Sequence, residues 1–401
     1  MGENKIAIFV ISVTSITFWG LLSHFNLISG KMLTVLIVLS VLVIAYSLYF
    51  LLNDFKSENK YFTIVFFTFF VYELITVVRG FTFSYGSIKD YLQTGYLFWP
   101  FIIPLFVFFN KKLSTIGLLF KWIFFMALPF LFMFFIFPKL LLTRTSAENL
   151  VAPTFICGFL FLNSNYLSNK KVNVIFLIMV ISLVSVTYVA RRNCIATLIG
   201  FIVSGYFLNI LYKHKSTLFK FMPVLIISIF FFFSYFSNLG DHLTMKLKNR
   251  MTEDTRSKLY ELYLYEMKDH LVFGKGMDGV YFFPMARSEV EEGVVFDEVV
   301  YRNVIENGYL QLLLTGGIIH IILFLLVLIP AAFLGIFKSS NQFSVASGAL
   351  ILLWMVDMLI YGLPTLNLHY IVVWICVGIC YKSSIRDASN EEIREQFLFL
   401  R

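Results

Sequence analysis

YRNVIENGYLQLLLTGGIIH (residues 301–320) is the stretch in which this chain changes solvent. It is polar as far as Asn307, and from Gly308 it continues as an apolar segment to about residue 334. A window of roughly 18 or more apolar residues matches the length a helix needs to cross about 30 Å of hydrocarbon. Outward from this point such windows recur at 6–23, 32–52, 61–78, 92–109, 115–137, 150–168, 172–190, 194–212, 217–237, 308–334, 343–362 and 367–381. The hydrophilic segment that ends here, 238–307, has no counterpart elsewhere in the sequence. Lipid offers a backbone no hydrogen-bond partners, so the spans are expected to be helical, and their length excludes barrel strands. The sequence therefore predicts an all-α polytopic membrane protein of about 12 transmembrane helices. Spans one to nine occupy 1–237, a large loop with an amphipathic helix 238–307, spans ten to twelve 308–381, and a tail 382–401.

Composition agrees with this reading. With 59% hydrophobic residues and 48 phenylalanines, the chain lies outside the range of soluble globular domains. The first span lacks a basic region followed by a small-residue cleavage site, so it is expected to be retained as a helix. Cys157, Cys194, Cys376 and Cys380 all fall in predicted spans without a CxxC pair or nearby histidine partners. They read as small core residues, and no metal or cofactor signature is present. The net charge of +8 is spread over loops flanking the spans, which argues against a nucleic-acid partner.

Charge also predicts orientation. Lys56, Lys60, Lys111, Lys112, Lys170, Lys171, Lys213, Lys215 and Lys220 fall in alternate loops on one side. By the positive-inside rule both termini are cytoplasmic and the long loop faces outward, into the periplasm of a cell with an outer membrane. Arginine is concentrated on the outward side: Arg79, Arg144, Arg191 and Arg192, then Arg250, Arg256, Arg287 and Arg302 in the long loop. A guanidinium stays charged and grips phosphate or carboxylate with two parallel hydrogen bonds. The loop holds 13 acidic against 9 basic residues, so its own acids are alternative partners for the loop arginines. Arg79, Arg191 and Arg192 stand at span ends without nearby acids and point to an anionic ligand.

Within the loop, residues 254–270 carry Leu259, Leu262, Tyr263 and Met267 at helical spacing, with Asp254 or Thr255 as cap. Gly274 and Gly276 mark its end and read as a tight turn rather than a phosphate cradle, because no clear helix follows. Glu289, Glu291, Glu292, Asp297 and Glu298 form an acidic patch without the spacing of a calcium loop. Arg302, Glu306 and Asn307 stand at the outer mouth of the tenth span, where a carboxylate is placed to accept a proton or pair with an arginine. Gly316 and Gly317 permit another helix to approach closely. Glu73 and Asp357 are the intramembrane carboxylates that need a reason. Glu73 lies about a turn and a half from Arg79 and is expected to pair with it, while Asp357 is expected to bond a neighbouring helix.

Three local runs carry a resemblance. TYVARRNCIATLIGF (187–201), RSKLYELYLYEMKDHLVFGKGMDG (256–279) and ENGYLQLLLTGGI (306–318), set in this topology, resemble the bacterial O-antigen polymerase and ligase superfamily. The first is similar to its arginine turn between hairpin helices, the second to its amphipathic helix with a Gly-x-Gly run, the third to its entry into the next span. Where ligases carry a histidine before the asparagine, this chain carries Glu306, a departure that tilts the resemblance away from the ligases and toward the divergent Wzy-type polymerases.

The resemblance implies a metal-independent glycosyltransferase with no cofactor, working in the bacterial inner membrane on polyprenyl-pyrophosphate-linked oligosaccharides as donor and acceptor. Membrane lipids and a chain-length regulator protein are its implied partners. On that reading Glu306 is the first candidate for the base that activates the acceptor hydroxyl, with Asp297 and Glu298 behind it. Arg79, Arg191, Arg192, Arg256, Arg302 and Asn307 are the pyrophosphate or glycan ligands, and Tyr260 and Tyr263 stack on sugars. The competing expectations are an O-antigen ligase and a flippase for lipid-linked oligosaccharides.

Overall fold

The computed structural model describes residues 2–24, 29–51, 59–93, 97–109, 112–136, 155–188, 192–211, 255–283, 300–360 and 365–397. It is a largely helical molecule, and among the described residues four helices are long and apolar enough to cross a membrane: Lys60–Gly80, Asn169–Thr187, Cys194–Leu211 and Gly308–Phe337. The predicted span at 217–237 lies outside the described residues.

In chain order the helices are α1 (Gly2–His24), α2 (Gly30–Leu51), α3 (Lys60–Gly80), α4 (Tyr85–Gln93), α5 (Trp99–Ile102), α6 (Leu113–Ile136), α7 (155–162), α8 (Asn169–Tyr188), α9 (Arg192–Leu211) and α10 (Thr255–Glu266). Two short strands follow, β1 (Tyr281–Phe283) and β2 (Val300–Arg302), and then α11 (Gly308–Phe337), α12 (Gln342–Asp357), α13 (Leu368–Tyr381), α14 (Ser383–Arg386) and α15 (Asn390–Gln396). Most predicted spans coincide with a helix to within a few residues. The expected span at 92–109 differs: α4 stops at Gln93, the chain bends at residues 97–98, and α5 passes into a 3₁₀ turn, Ile103–Phe108. Pro100 and Pro104 lie in the first turns of these two pieces. Proline lacks the N–H that a continuous helix needs at an interior position.

The core is built around α13, all of whose residues from Leu368 to Tyr381 are buried. Such a helix is apolar on every side because every side meets protein. It packs against the 3₁₀ turn, α11 and α12, and rings close around Trp374, with Phe69 at 5.9 Å, Phe324 at 6.1 Å and Trp354 at 6.3 Å between centroids. Asp357, at the end of α12, accepts a hydrogen bond of 2.7 Å from Thr197 of α9. That is the interhelical bond expected of it, and it gives a buried carboxylate a donor. The four cysteines are buried and none is in a disulfide.

The segment after α13 is docked rather than trailing. Asn341 donates through Nδ2 to the carbonyls of Ile385 at 2.7 Å and Ala388 at 3.0 Å. Ser389 and Glu392 form a reciprocal cap at the start of α15. Phe397 is fully buried, with its ring 5.4 Å from Phe120 and 5.6 Å from Tyr166. Lys121 of α6 binds Glu3 of α1 at 2.6 Å, so both ends of the described chain meet α6. α3 starts at this same end, since Phe62 lies 4.4 Å from Tyr381 between ring centroids, and its last residue, Gly80, is at the opposite one. Replacing Phe397 by Ala removes a fully buried ring and is expected to lower stability by about 3 kcal/mol. A thermal or denaturant melt reads this directly, and an unchanged midpoint would show the docked tail to be dispensable.

Candidate functional site

The polar segment joins the helices at a break in α11. Gly317 takes φ 70° and ψ −167° in the middle of an otherwise regular helix, and a backbone of that kind favours glycine. The break frees N–H and C=O groups that hydrocarbon cannot satisfy. Residues 271–276 take them up. Ile318 N–H donates to the Leu271 carbonyl at 2.8 Å, while the N–H groups of Lys275 and Gly276 donate to the carbonyls of Leu314 and Thr315 at 2.7 and 2.8 Å. The hydroxyl of Tyr72 on α3 donates to the Gly316 carbonyl at 2.5 Å.

α3 completes the junction. Met277 N–H donates to the Thr76 carbonyl at 3.1 Å. Arg79 donates from Nη1 to the Phe273 carbonyl and from Nη2 to the Gly274 carbonyl, each at 2.6 Å. Gly274 has φ 66°, and a Cβ there would come within 2.5 Å of the Thr315 carbonyl. The Gly-x-Gly run is thus the tight turn expected, and its amides are committed to protein carbonyls rather than open to phosphate.

One turn beyond the break, His320 Nε2 lies 3.0 Å from Glu73 Oε1. The pair is buried, with His320 1% and Glu73 3% exposed. Thr315 Oγ1 stands 3.4 Å from His320 Nδ1. This corrects the expected pairing of Glu73 with Arg79. The carboxylate faces into the core toward α11, whereas the guanidinium leaves the helix end for the loop carbonyls. The sequence signal for it was a histidine inside the apolar run IIHIILFLL (318–326), an ionisable group that calls for a partner in a span.

Beside the junction, the loop forms a small core of its own. Tyr263, Met267, Tyr281, Ile305, Leu313 and Leu314 cluster, with Tyr260 and Leu310 packed against them. Tyr263 and Met267 of the predicted stripe face inward, while Leu262 is exposed. Tyr263 is fully buried, donates to the Leu310 carbonyl at 2.8 Å, and meets Tyr281 edge-on at 5.4 Å. Its ring faces are occupied by packing, so the expected sugar-stacking role of Tyr263 is corrected to a structural one. Asn307 is likewise occupied. It caps α11 by accepting from Leu310 N–H at 3.0 Å and donates to the Leu359 carbonyl at 2.7 Å.

β1 and β2 pair antiparallel with Tyr281 opposite Arg302. The Tyr281 hydroxyl donates to the Val304 carbonyl at 3.2 Å; burial pushes it up to about 12, with Arg302 opposing the rise and Glu306 and Tyr260 adding to it. Glu306 itself is exposed, Arg302 and Tyr260 half-buried. Arg192 and Arg256 lie on the first turns of α9 and α10. Arg191, Asp297 and Glu298 lie outside the described residues. Asp278, which sequence reading did not single out, is a half-buried loop carboxyl. Burial raises its proton affinity, and neighbouring Asp90 adds to this, against the opposing bonds of Asn303 and Tyr91. Among the described residues no three His, Cys, Asp or Glu side chains form a metal-ligand set. No family model, characterised protein or solved structure matches this chain.

Glu266 ties α10 to the loop. Its Oε1 accepts from Lys275 Nζ and its Oε2 from Phe282 N–H, both at 2.6 Å. Burial alone would raise this carboxyl, but these bonds outweigh it and hold it below the usual carboxylate value. A depressed acid contributes stability above its unfolded value, about 4.3 for Glu, and loses it as pH falls through the folded value. Hydrogen exchange at the Phe282 amide should therefore lose protection as pH drops below about 4.3, and Glu266→Gln should flatten that dependence. A profile identical in both proteins would refute the tether. Separately, Gly274→Ala forces a Cβ into the Thr315 backbone and is expected to cost about 2 kcal/mol or more, read as a lower melting temperature.

Proposed function

We propose that this protein is a polymerase of lipid-linked oligosaccharide repeats, working on the outer face of a bacterial cytoplasmic membrane with both termini inside. The observation that supports it is an arrangement at the point where the polar segment enters α11: Arg302 stands opposite Tyr281 in the strand pair, Tyr260 packs against the same cluster, and exposed Glu306 follows four residues after Arg302. A carboxylate, a guanidinium and a partly open tyrosine are the groups that glycosyl transfer from a pyrophosphate asks for. Glu306 takes the proton of the acceptor hydroxyl at the non-reducing end of an incoming repeat. The acceptor oxygen bonds to the anomeric carbon of the growing chain as the bond from that carbon to the pyrophosphate oxygen breaks. Arg302, with Arg191, Arg192 and Arg256 as further candidates, stabilises the negative charge gathering on the departing polyprenyl pyrophosphate. Tyr260 offers a face to sugar, and Asp297 and Glu298 are alternative bases.

A transport reading draws on one specific feature, the discontinuous helix α11 with an ionisable pair beside it. In transporters such breaks present free helix ends to the substrate. Here the N–H of Ile318 and the carbonyls of Leu314, Thr315 and Gly316 are already paired with the loop and with Tyr72, which favours an architectural role for the break.

The test is complementation of a deletion strain, with surface polysaccharide resolved on a gel. Wild type restores a ladder, and Glu306→Gln and Arg302→Ala are expected to leave core plus one repeat. The expected loss of rate is about 10²-fold or more for the base. Intact ladders in both variants would sink the assignment of these residues. Repeats trapped on the cytoplasmic leaflet of the deletion strain would mean a flippase, and long chains stranded on the carrier a ligase.

A further inference from the structure

On the membrane side of the same junction, α3 and the second half of α11 leave a groove of about 680 Å³ lined by Thr68, Val71, Tyr72, Ile75, Arg79, Phe273, Ile319 and Leu323. The α3 residues fall at positions i, i+3, i+4, i+7 and i+11, a single stripe of the helix. At 1.5 Å per residue the stripe from Thr68 to Arg79 is about 16 Å long, close to half of a hydrocarbon layer about 30 Å thick. Thr68 stands near the middle of the Lys60–Gly80 span and Arg79 next to its end, so the groove runs the depth of one leaflet. Val71, Ile75 and Phe273 along it are exposed.

The polar groups of the groove are satisfied within the protein, with one exception. Thr68 donates to the Ile64 carbonyl and Tyr72 to the Gly316 carbonyl. Arg79 donates to two carbonyls, yet a guanidinium carries more N–H donors than these bonds use. Carbonyls do not cancel its charge, and among the described residues no carboxylate lines the groove. An apolar trench one leaflet deep that ends in an uncompensated cation is complementary to a single lipid chain below a phosphate.

We propose that this groove is a binding site for one anionic phospholipid, a chain lying along α3 and its phosphate on Arg79. Two features of the groove select this occupant. Without a carboxylate to receive an ammonium, it favours a headgroup of net negative charge over a zwitterionic one. Ending at mid-membrane, it fits a chain of one leaflet's length, which a longer polyprenyl chain would overrun at Thr68. The site uses neither Glu306 nor Arg302, and it gives Arg79, expected from the sequence to be a pyrophosphate ligand, to a phospholipid instead.

Native mass spectrometry of the full-length protein, released from bilayers of phosphatidylcholine and phosphatidylglycerol in equal amounts, tests this. The wild type is expected to keep one phosphatidylglycerol. Arg79→Gln should lower that retention about tenfold, the loss of a charge-assisted contact. Ile75→Trp fills the groove without touching the carbonyl clamp and should do the same, which keeps the test open if Arg79→Gln fails to fold. Val78→Trp, on the same helix but outside the groove, should retain the lipid. Equal retention of the two lipids by the wild type overturns the proposal, as does undiminished retention in Ile75→Trp. Recovery of a polyprenyl phosphate from native membranes in place of the phospholipid overturns the choice of occupant.

Discussion

A helix broken inside a membrane must find partners for the backbone groups it frees, and in this protein that requirement fixes the position of the whole polar segment. Each unpaired amide or carbonyl buried away from water costs several kcal/mol, on the scale of a domain's entire stability of about 5–15 kcal/mol. The break at Gly317 frees several at once, and residues 271–276 supply the partners. A stretch that reads as extramembrane loop therefore belongs to the transmembrane fold. Once it is seated, Thr76 and Arg79 have carbonyl and amide groups within reach, and α3 is bound to α11 through the loop as well as directly.

Most helices were legible because hydrocarbon imposes a length and an apolar surface that show in any window of sequence. Misreadings arose where a second rule overrode hydropathy. Residues 92–109 are apolar enough to span, but the chain bends at 97–98 and passes into a 3₁₀ turn, with Pro100 and Pro104 in the first turns of the two pieces, where a missing N–H is tolerated. α13 is short for a span, yet it is a helix because protein surrounds it on every side. Glu73 illustrates a different limit. A local search offered Arg79 six residues away, whereas its partner is His320, 247 positions further on. Composition and periodicity carry no information about contacts at that separation. The two glycines of the loop were read as a turn on the absence of a following helix, and their positive φ values bear that out.

The site was legible in residue type more than in arrangement. Tyr260 and Tyr263 look equivalent in sequence, three positions apart on one helix. Their difference comes from the satellite core, in which Tyr263 is pinned between Tyr281 and the Leu310 carbonyl while Tyr260 stays at the edge. Asn307 shows the same effect. An asparagine before a glycine and a leucine-rich run is well suited to cap a helix, and a capping side chain has little left for a ligand. On the proposed reading, removing these two from the ligand set leaves Glu306, Arg302 and Tyr260 as the candidates at this end of the loop.

Two carboxylates compete for a chemical role at this end of the molecule, and their surroundings separate them. Glu73 is 3% exposed and His320 1%, with the rings of Phe69 and Phe101 about 6 Å from the imidazole. The cavity that Glu73 and His320 line, with Phe101, Gln311 and Thr315, is about 20 Å³, too small for a sugar, and removing either partner would leave the other buried without it at a cost of about 3–5 kcal/mol. Its effect on activity would therefore travel through the fold, by loosening α3 from α11. Glu306 stands in solvent at the foot of the strand pair, one residue before the Asn307 cap. A group that must meet substrate and exchange a proton in every cycle needs that exposure, and a rigid helix start beside it fixes its position. On the proposed polymerase reading, burial therefore leaves the Glu73–His320 pair an architectural role and makes exposed Glu306 the better placed acid, even though an acid inside a membrane helix draws the eye first.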